Sequence, residues 1–460
     1  MNLRLASIIV VAALSLTIGC SKEVCDISQP LQKTSTSSFK IGIDDVVSYI
    51  EKYKQTETKS NLNLNNIIPI VSNDDTLMFL VNYKDGWEVL STDTRFPKVL
   101  AFSRGGNTCI SELYDNQTSS LFFTEMQNAL RVARHDTTSI FQSQQSRANW
   151  SDIKLRVRDG EWWSEWCTYR SVLIQRDTIE IDHLLDTHWG QSGVWATFMP
   201  YREPAHSSHC YAGCTMVATA QVLYYLHYKL GVPSYTFNYA SCSAHLSAPT
   251  SSLTLNSSNT HFFSISELCW DNMAKNLAES STKNYWSVSA LMLRLGYLDG
   301  ATYEYDGTSG SIPGMKNVLA SHYGIDCLHT TSIAFDTIFH QIWVKRKPCI
   351  LNIWDSNEYN TGHAIVVDGY HRDRSRYLKY QVRNNNYGEV QYRTIEEDED
   401  THYVAINWGY NGSGDYDSSG STIWYLAMPS IYNNYINWSY TSGATTYHII
   451  YSMLYNFSVL

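Results

Sequence analysis

Apolar and polar positions along this chain switch between a helical and a strand period, and the switches mark its elements. "IDDVVSYIEKY" (43–53) carries apolar residues at helical spacing behind Asp44 and Asp45, charges that favour a helix start. "TLMFLVNYKDGWEVLSTD" (76–93) predicts two strands about a Lys-Asp-Gly turn, and "SSLFFTEMQNALRVARH" (119–135) predicts an amphipathic helix. "DTTSIFQSQQSRANW" (136–150) is polar, free of Gly and Pro, and reads as a linker open to proteolytic nicking. Helices are then expected at 215–230, 266–278 and 284–296, and strands at 349–354, 363–370, 402–408 and 422–427. Helices early and strands late predict an α+β fold. No internal repeat is present.

The first twenty residues, "MNLRLASIIVVAALSLTIGC", read as an export signal: Arg4 is the positive start and Ala6–Leu16 the short apolar core. A small residue followed by Cys20 looks like a bacterial lipobox, which makes Cys20 the expected lipidated residue. No later stretch has the roughly 18 uncharged apolar residues a membrane span needs. Residues 21–38, rich in Ser, Thr and Gln, are expected to be a tether, and 39–135 a small α+β unit without a catalytic constellation.

Composition narrows the class of function. The chain is 43% hydrophobic and 17% charged with only 10 Pro, a globular balance, and its net charge is −10 with scattered Lys and Arg. That distribution gives no surface for nucleic acid. The 33 Tyr and 14 Trp suit β-rich domains and also carbohydrate stacking. Setting Cys20 aside leaves nine cysteines, Cys25, Cys109, Cys167, Cys210, Cys214, Cys242, Cys269, Cys327 and Cys349. An odd number leaves one thiol unpaired even in an exported chain.

"HCYAGCTMVATAQVLYYLHY" (209–228) places two cysteines ahead of a long apolar helical run. Cys214 at that helix start feels the positive end of the dipole, which lowers a thiol pKa. Four readings stand: a core cysteine, a nucleophile, a metal site drawn from His206, His209, Cys210 and Cys214, or a Cys210–Cys214 disulfide. A partner changes the balance. His363 in "NTGHAIVVDGY" opens an apolar strand, and "HYVAINWGYNGSG" supplies Asn407 and then Trp408 before a Gly-rich turn. Nucleophile, base and a group that orients the base are what covalent catalysis requires.

Those segments resemble the streptopain (C10) family of papain-like cysteine peptidases. "AGCTMVATAQ", with Gln221 seven residues after Cys214, is similar to its nucleophile helix, "GHAIVVDGY" to its histidine strand, and "INWGYNGSGD" to its Asn-Trp-Gly-Trp segment. "LLDTHWGQ" (184–191) resembles the stretch ending in the oxyanion-hole glutamine, here Gln191, and "YEYDGTSGS" (303–311) the substrate-pocket loop. "FPKVLAFSRGG" (96–106) resembles part of the inhibitory prodomain. The resemblance implies a papain-like domain at 181–460 behind an inhibitory prodomain at 39–135 and an activation region at 136–180.

It further implies catalytic roles for Cys214, His363, Asn407, Gln191 and Trp408, with Asn407 orienting the imidazole and Trp408 shielding that contact. Substrate contacts are expected from Ser309, Gly310, Ser311 and Gly362. No metal or cofactor is implied. The expected partners are protein or peptide substrates, the chain's own prodomain and a membrane held through the Cys20 lipid. Three features depart from the family: "TMV" after Cys214, a loosely matching tail after residue 428, and a charged insertion at 371–400, expected to form a hairpin beside the site. Two other functions remain open. One is a surface lipoprotein that binds glycan or host protein on an inactive peptidase scaffold. The other is acyl transfer to an amine or thiol instead of water.

Overall fold

The computed structural model describes residues 40–53, 67–72, 74–94, 96–115, 119–135, 166–202, 208–232, 238–242, 247–248, 253–254, 260–264, 270–279, 285–304, 307–354, 362–384, 389–427, 440–442, 445–447 and 450–460. The expected export signal with Cys20, the tether, residues 136–165 of the linker, and His206, Cys25 and Cys269 lie outside the described residues.

Helix α1 (Ile43–Tyr53) lays Val46, Tyr49 and Ile50 on one face of strands β1 (Ile67–Ser72), β2 (Asp75–Tyr83) and β3 (Gly86–Ser91). Strand β4 (Val99–Ser103) completes this layer. On the other face, α2 (Ile110–Asp115) is followed by α3 (Ser119–His135), whose Phe122, Phe123, Met126 and Leu130 make one buried stripe. The expected Lys-Asp-Gly turn joins β2 to β3. Gly86 there has φ +122°, and a Cβ on it would lie 2.4 Å from the Ser103 carbonyl, so the position demands glycine.

This layer continues into the rest of the molecule. The remaining strands of the main sheet are β5 (Cys167–Ile181), β6 (Ile325–Thr330), β7 (Cys349–Trp354), β8 (Gly362–Asn384), β9 (Val390–Asn407), β10 (Ile423–Leu426) and β11 (Ile450–Val459). All pair antiparallel in the order β1-β2-β3-β4-β10-β9-β8-β7-β11-β6, with β5 beside the outer half of β8. One hydrophobic cluster runs through both parts, from Leu80, Trp87 and Phe122 to Tyr403, Trp408 and Tyr425. Residues 39–460 accordingly form one compact unit.

The helical side is built on α4 (Cys214–Leu230), α5 (Tyr285–Asp299) and α6 (Ile312–Tyr323). In α4 every residue from Thr215 to Leu226 is buried, so it is a central helix covered on all sides, ending at Gly231 in the left-handed conformation. Helices on one side and antiparallel strands on the other give the expected α+β class. Where a helix is expected at 266–278, the described part has only the short turn Trp270–Asn272. There the side chains of Glu279 and Asn276 take backbone N–H groups of Lys275 and Glu279, a local alternative to helical bonding.

Two long segments differ from expectation in extent. The insertion at 371–400 is indeed a hairpin, made by β8 and β9 continuing in register from Arg372↔His402 to Asn384↔Val390. Cross-strand ion pairs of Arg372 with Asp400, of Arg374 and Arg376 with Asp398, and of Lys379 with Glu397 and Glu399 replace an apolar core along it. Residues 167–180, the described end of the expected activation region, form with Ile181 the strand β5, paired with β8 from Tyr370↔Ile181 to Val382↔Cys167. Its Val172, Leu173 and Ile174 are exposed, so backbone pairing and the Arg176–Asp373 ion pair hold that stretch, while at its end Glu180 meets His371 and Ile179 and Ile181 pack on the core.

Candidate active site

Three chain segments meet at the start of α4. Gly213 approaches it at φ +92°, and a Cβ there would sit 2.3 Å from the Met216 methyl carbon, so only glycine permits the turn. The approach is fixed on both sides. The Ala212 N–H donates to the Gln191 carbonyl at 2.8 Å, and the Thr308 hydroxyl donates to the Tyr211 carbonyl at 2.6 Å. Cys214 is the first helical residue and is half-buried.

His363 is the second residue of β8, paired with Ile353 of β7. Its Nε2 lies 2.9 Å from the Trp408 carbonyl oxygen, and the ring hydrogen-bonds the Cys214 thiol. With Nε2 taken by a carbonyl, Nδ1 is the nitrogen left to face sulfur. Burial pushes the Cys214 thiol up, but the His363 charge, its hydrogen bond and the N–H groups of Ala364 and Thr215 outweigh it, leaving the thiol below its ordinary value. Burial pulls the His363 imidazole down, while the Cys214 charge, its hydrogen bond and the Trp408 carbonyl hold it above its ordinary value. The two groups favour each other's charged forms, which makes a thiolate–imidazolium pair.

Asn407 does not orient the imidazole. It ends β9 opposite Val366, and its side chain turns into a buried pocket. There Nδ2 donates to the Thr187 carbonyl at 2.8 Å and Gln221 Oε1 at 3.2 Å, while Oδ1 accepts from Gln221 Nε2 at 2.9 Å and the Gly409 N–H at 3.1 Å. Every lone pair and proton is used. The carbonyl one residue later reaches His363 in its place. Trp408 also departs from its expected role: its indole packs in the sheet core against Tyr425 rather than shielding an Asn–His contact. Gln221, two turns along α4 from Cys214, also accepts from the Thr187 hydroxyl and the Trp189 N–H, tying the nucleophile helix to the histidine side.

The Trp408 turn is braced from behind. The Trp408 N–H donates to Asp415 Oδ1 at 2.9 Å. Asp368, bulged out of β8 between Val367 and Gly369, receives the Leu185 N–H and pairs with His183 at 2.8 Å. Burial pulls His183 down, but the Asp368 charge and hydrogen bond win and raise it to about 9. Burial also pushes the Asp415 carboxyl up to about 7, against the pull of His183.

Gln191 lies beside the pair, partly exposed, with its side chain against Tyr410, whose ring centroid is 5.4 Å from that of His363. Of the expected pocket loop, Ser309 and Gly310 are exposed next to α4, and a Cβ on Gly310 would meet Thr215 at 2.9 Å. Ser311 is occupied structurally: its Oγ caps α6 by accepting the Gly314 N–H, and its own N–H donates to Asp299 Oδ2 at 2.6 Å. Gly362, exposed, precedes His363 at the edge of the site. No disulfide joins Cys210 to Cys214, and the His209 ring stacks on Tyr201 with Nδ1 on the Met199 carbonyl. Among the described residues no three His, Cys, Asp or Glu side chains gather as a metal site.

Tyr410, the Trp408 carbonyl and the His183–Asp368–Asp415 brace were not singled out from sequence. Tyr410 was within reach, because it stands where the family segment has a second tryptophan. A backbone carbonyl has no signature in a residue string.

A depressed thiol on a helix N-terminus, ion-paired with an imidazole, defines a cysteine-nucleophile site of the acyl-transfer type. The Peptidase C10 family model matches residues 189–416, which hold Gln191, Cys214, His363, Asn407 and Trp408. Through that segment the chain belongs to the peptidase C10 family and is of the cysteine peptidase class. Among solved structures, a fragment of Prevotella intermedia prointerpain A carrying a cysteine-to-alanine substitution is similar, with 18% identity, a TM-score of 0.45, and 84% of this chain and 97% of that chain covered. No curated protein matches.

Proposed function

We propose that the chain is an exported cysteine endopeptidase, made as a latent precursor and anchored through a lipid on Cys20 to the outer membrane, on its periplasmic or outer face, or released after processing. The observation that carries the catalytic part is the Cys214–His363 pair, each group shifted toward its charged form. The Cys214 thiolate attacks a peptide carbonyl, and His363 gives its proton to the leaving amine. The imidazole then takes a proton from water, which hydrolyses the thioester. The Gln191 amide and the Cys214 N–H face the developing oxyanion, and losing one such donor costs roughly 3 kcal/mol of barrier. The Trp408 carbonyl holds the imidazole through Nε2. Latency is supported by docking of the 40–135 unit on β10 and on the 413–421 segment that follows the Trp408 turn.

The test is labelling of the processed chain with an epoxide cysteine-protease probe, mapped by mass spectrometry beside Cys214→Ala and His363→Ala. Adduct at Cys214 that requires His363 is the expected result. An unlabelled Cys214 sinks the peptidase reading and leaves the binding lipoprotein. Product analysis with a peptide substrate separates hydrolysis from transfer to an amine or thiol.

A further inference from the structure

We propose that Tyr410 is a positioning residue for the oxyanion-hole amide: its hydroxyl oxygen accepts one N–H of Gln191 and aims the other at the reacting carbonyl. This rests on the peptidase reading of the site. A glutamine amide is a rotor with two donors at one end and an acceptor at the other. Half a turn would present Oε1 to a developing oxyanion and repel it. Catalysis by that amide therefore needs something that distinguishes its two ends.

The fold puts Tyr410 in place to do so. The Gln191 amide lies against the Tyr410 phenol and acts on it in the direction a donated N–H would. The backbones of both residues are held independently of that contact. The Gln191 carbonyl accepts from Ala212, two residues before the nucleophile. The turn carrying Tyr410 is pinned to the Gln191 segment by Asn411, whose N–H reaches the Trp189 carbonyl at 3.4 Å and whose Oδ1 accepts from the Trp195 indole at 2.6 Å. A Cβ on Gly190 would strike the Asn411 side chain at 2.5 Å, so the two segments touch. Burial and the neighbouring Cys214 charge push the Tyr410 phenol up to about 12, so it stays a neutral hydroxyl wherever the thiolate pair exists.

Tyr410→Phe removes the acceptor and keeps the ring that lies against His363. The full chain after processing is compared as wild type, Tyr410→Phe, Gln191→Ala and the double variant. Two rates are read: reaction of Cys214 with 2,2′-dipyridyl disulfide across pH, which needs the thiolate but no oxyanion hole, and turnover of a peptide amide. Tyr410→Phe is expected to leave the disulfide profile unchanged and to lower kcat about tenfold or more with little change in KM. In the double variant it should add nothing to the loss from Gln191→Ala. Unchanged kcat, a loss that multiplies with that of Gln191→Ala, or a displaced disulfide profile overturns the proposal. A wild type without low-pH disulfide reactivity sinks the peptidase reading itself, and this inference with it.

Discussion

Replacing Asn407 by alanine distinguishes the geometry described above from the role first expected of that residue. The truncation leaves three buried groups without partners: the Thr187 carbonyl, Gln221 Nε2 and the Gly409 N–H. Gln221 Oε1 keeps its bonds from Thr187 and Trp189. Each orphaned group costs about 1–3 kcal/mol. Relaxation and entering water hold the sum near the low end, so the variant should lose about 3–5 kcal/mol of stability. Trp408 keeps its own N–H bond to Asp415, and its carbonyl, which shares the next peptide with the Gly409 N–H, keeps its contact with His363. The folded fraction should therefore retain a reactive thiolate at acidic pH. Urea unfolding followed by tryptophan fluorescence measures the first effect, and the pH profile of Cys214 with a disulfide probe, taken below the unfolding transition, measures the second. A variant within about 0.5 kcal/mol of wild type that has lost its acidic thiolate would refute the reasoning and restore Asn407 as the group that orients His363.

Four further outcomes follow from named contacts. Cys214 titrates below and His363 above its ordinary value, so the thiolate–imidazolium pair and the turnover that needs it are expected between those two limits; His363→Ala should move the acid limb upward, because burial of the thiol is then opposed only by the Ala364 and Thr215 N–H groups. His183 is raised in the folded state to about 9, so its contribution is full below the unfolded value near 6.5 and lost as pH rises toward 9. The urea midpoint should fall over that window, and His183→Gln should flatten the fall. Processing should leave an N-terminus at or before residue 166, read by sequencing; a 181–460 fragment lacking β5 should expose the β8 edge from Tyr370 to Val382 and aggregate, as light scattering would show. Asp417→Ala removes the acceptor of the Ser103 hydroxyl at 2.6 Å, so the N-terminal unit should dissociate more readily once cut, as gel filtration would show.

How much of this was legible in the sequence depends on what kind of interaction carried each part. The helix at 43–53, the β2–β3 turn and α4 were readable because periodicity and a glycine mark them locally. β5 was missed because its Val172, Leu173 and Ile174 are exposed and its partner lies some two hundred residues away. The insertion at 371–400 separates Asn407 from His363 along the chain. In the structure it only lengthens a hairpin in register, so Val366 and Asn407 remain paired at its base. Residue types predicted the thiol and the imidazole, since only side chains can supply them. They mispredicted the orienting group, because an asparagine one position away is visible in a sequence and a carbonyl is not.

The segment from Asn407 to Asp417 therefore serves several surfaces at once. Asn407 meets the nucleophile helix through Gln221, Trp408 turns its carbonyl to His363, Tyr410 meets Gln191, and Asp415 holds the Trp408 N–H from a buried position. Two residues on, Asp417 accepts from Ser103, and Ser418 donates to the Asn107 carbonyl of the N-terminal unit. β4 meanwhile pairs with β10, which follows directly. A chain packed this tightly has discrete arrangements rather than a continuum. On the latent-precursor reading, departure of the N-terminal unit frees one end of a segment whose other end fixes the imidazole. Docking and catalytic geometry are then coupled through eleven consecutive residues, without the N-terminal unit having to touch the thiol.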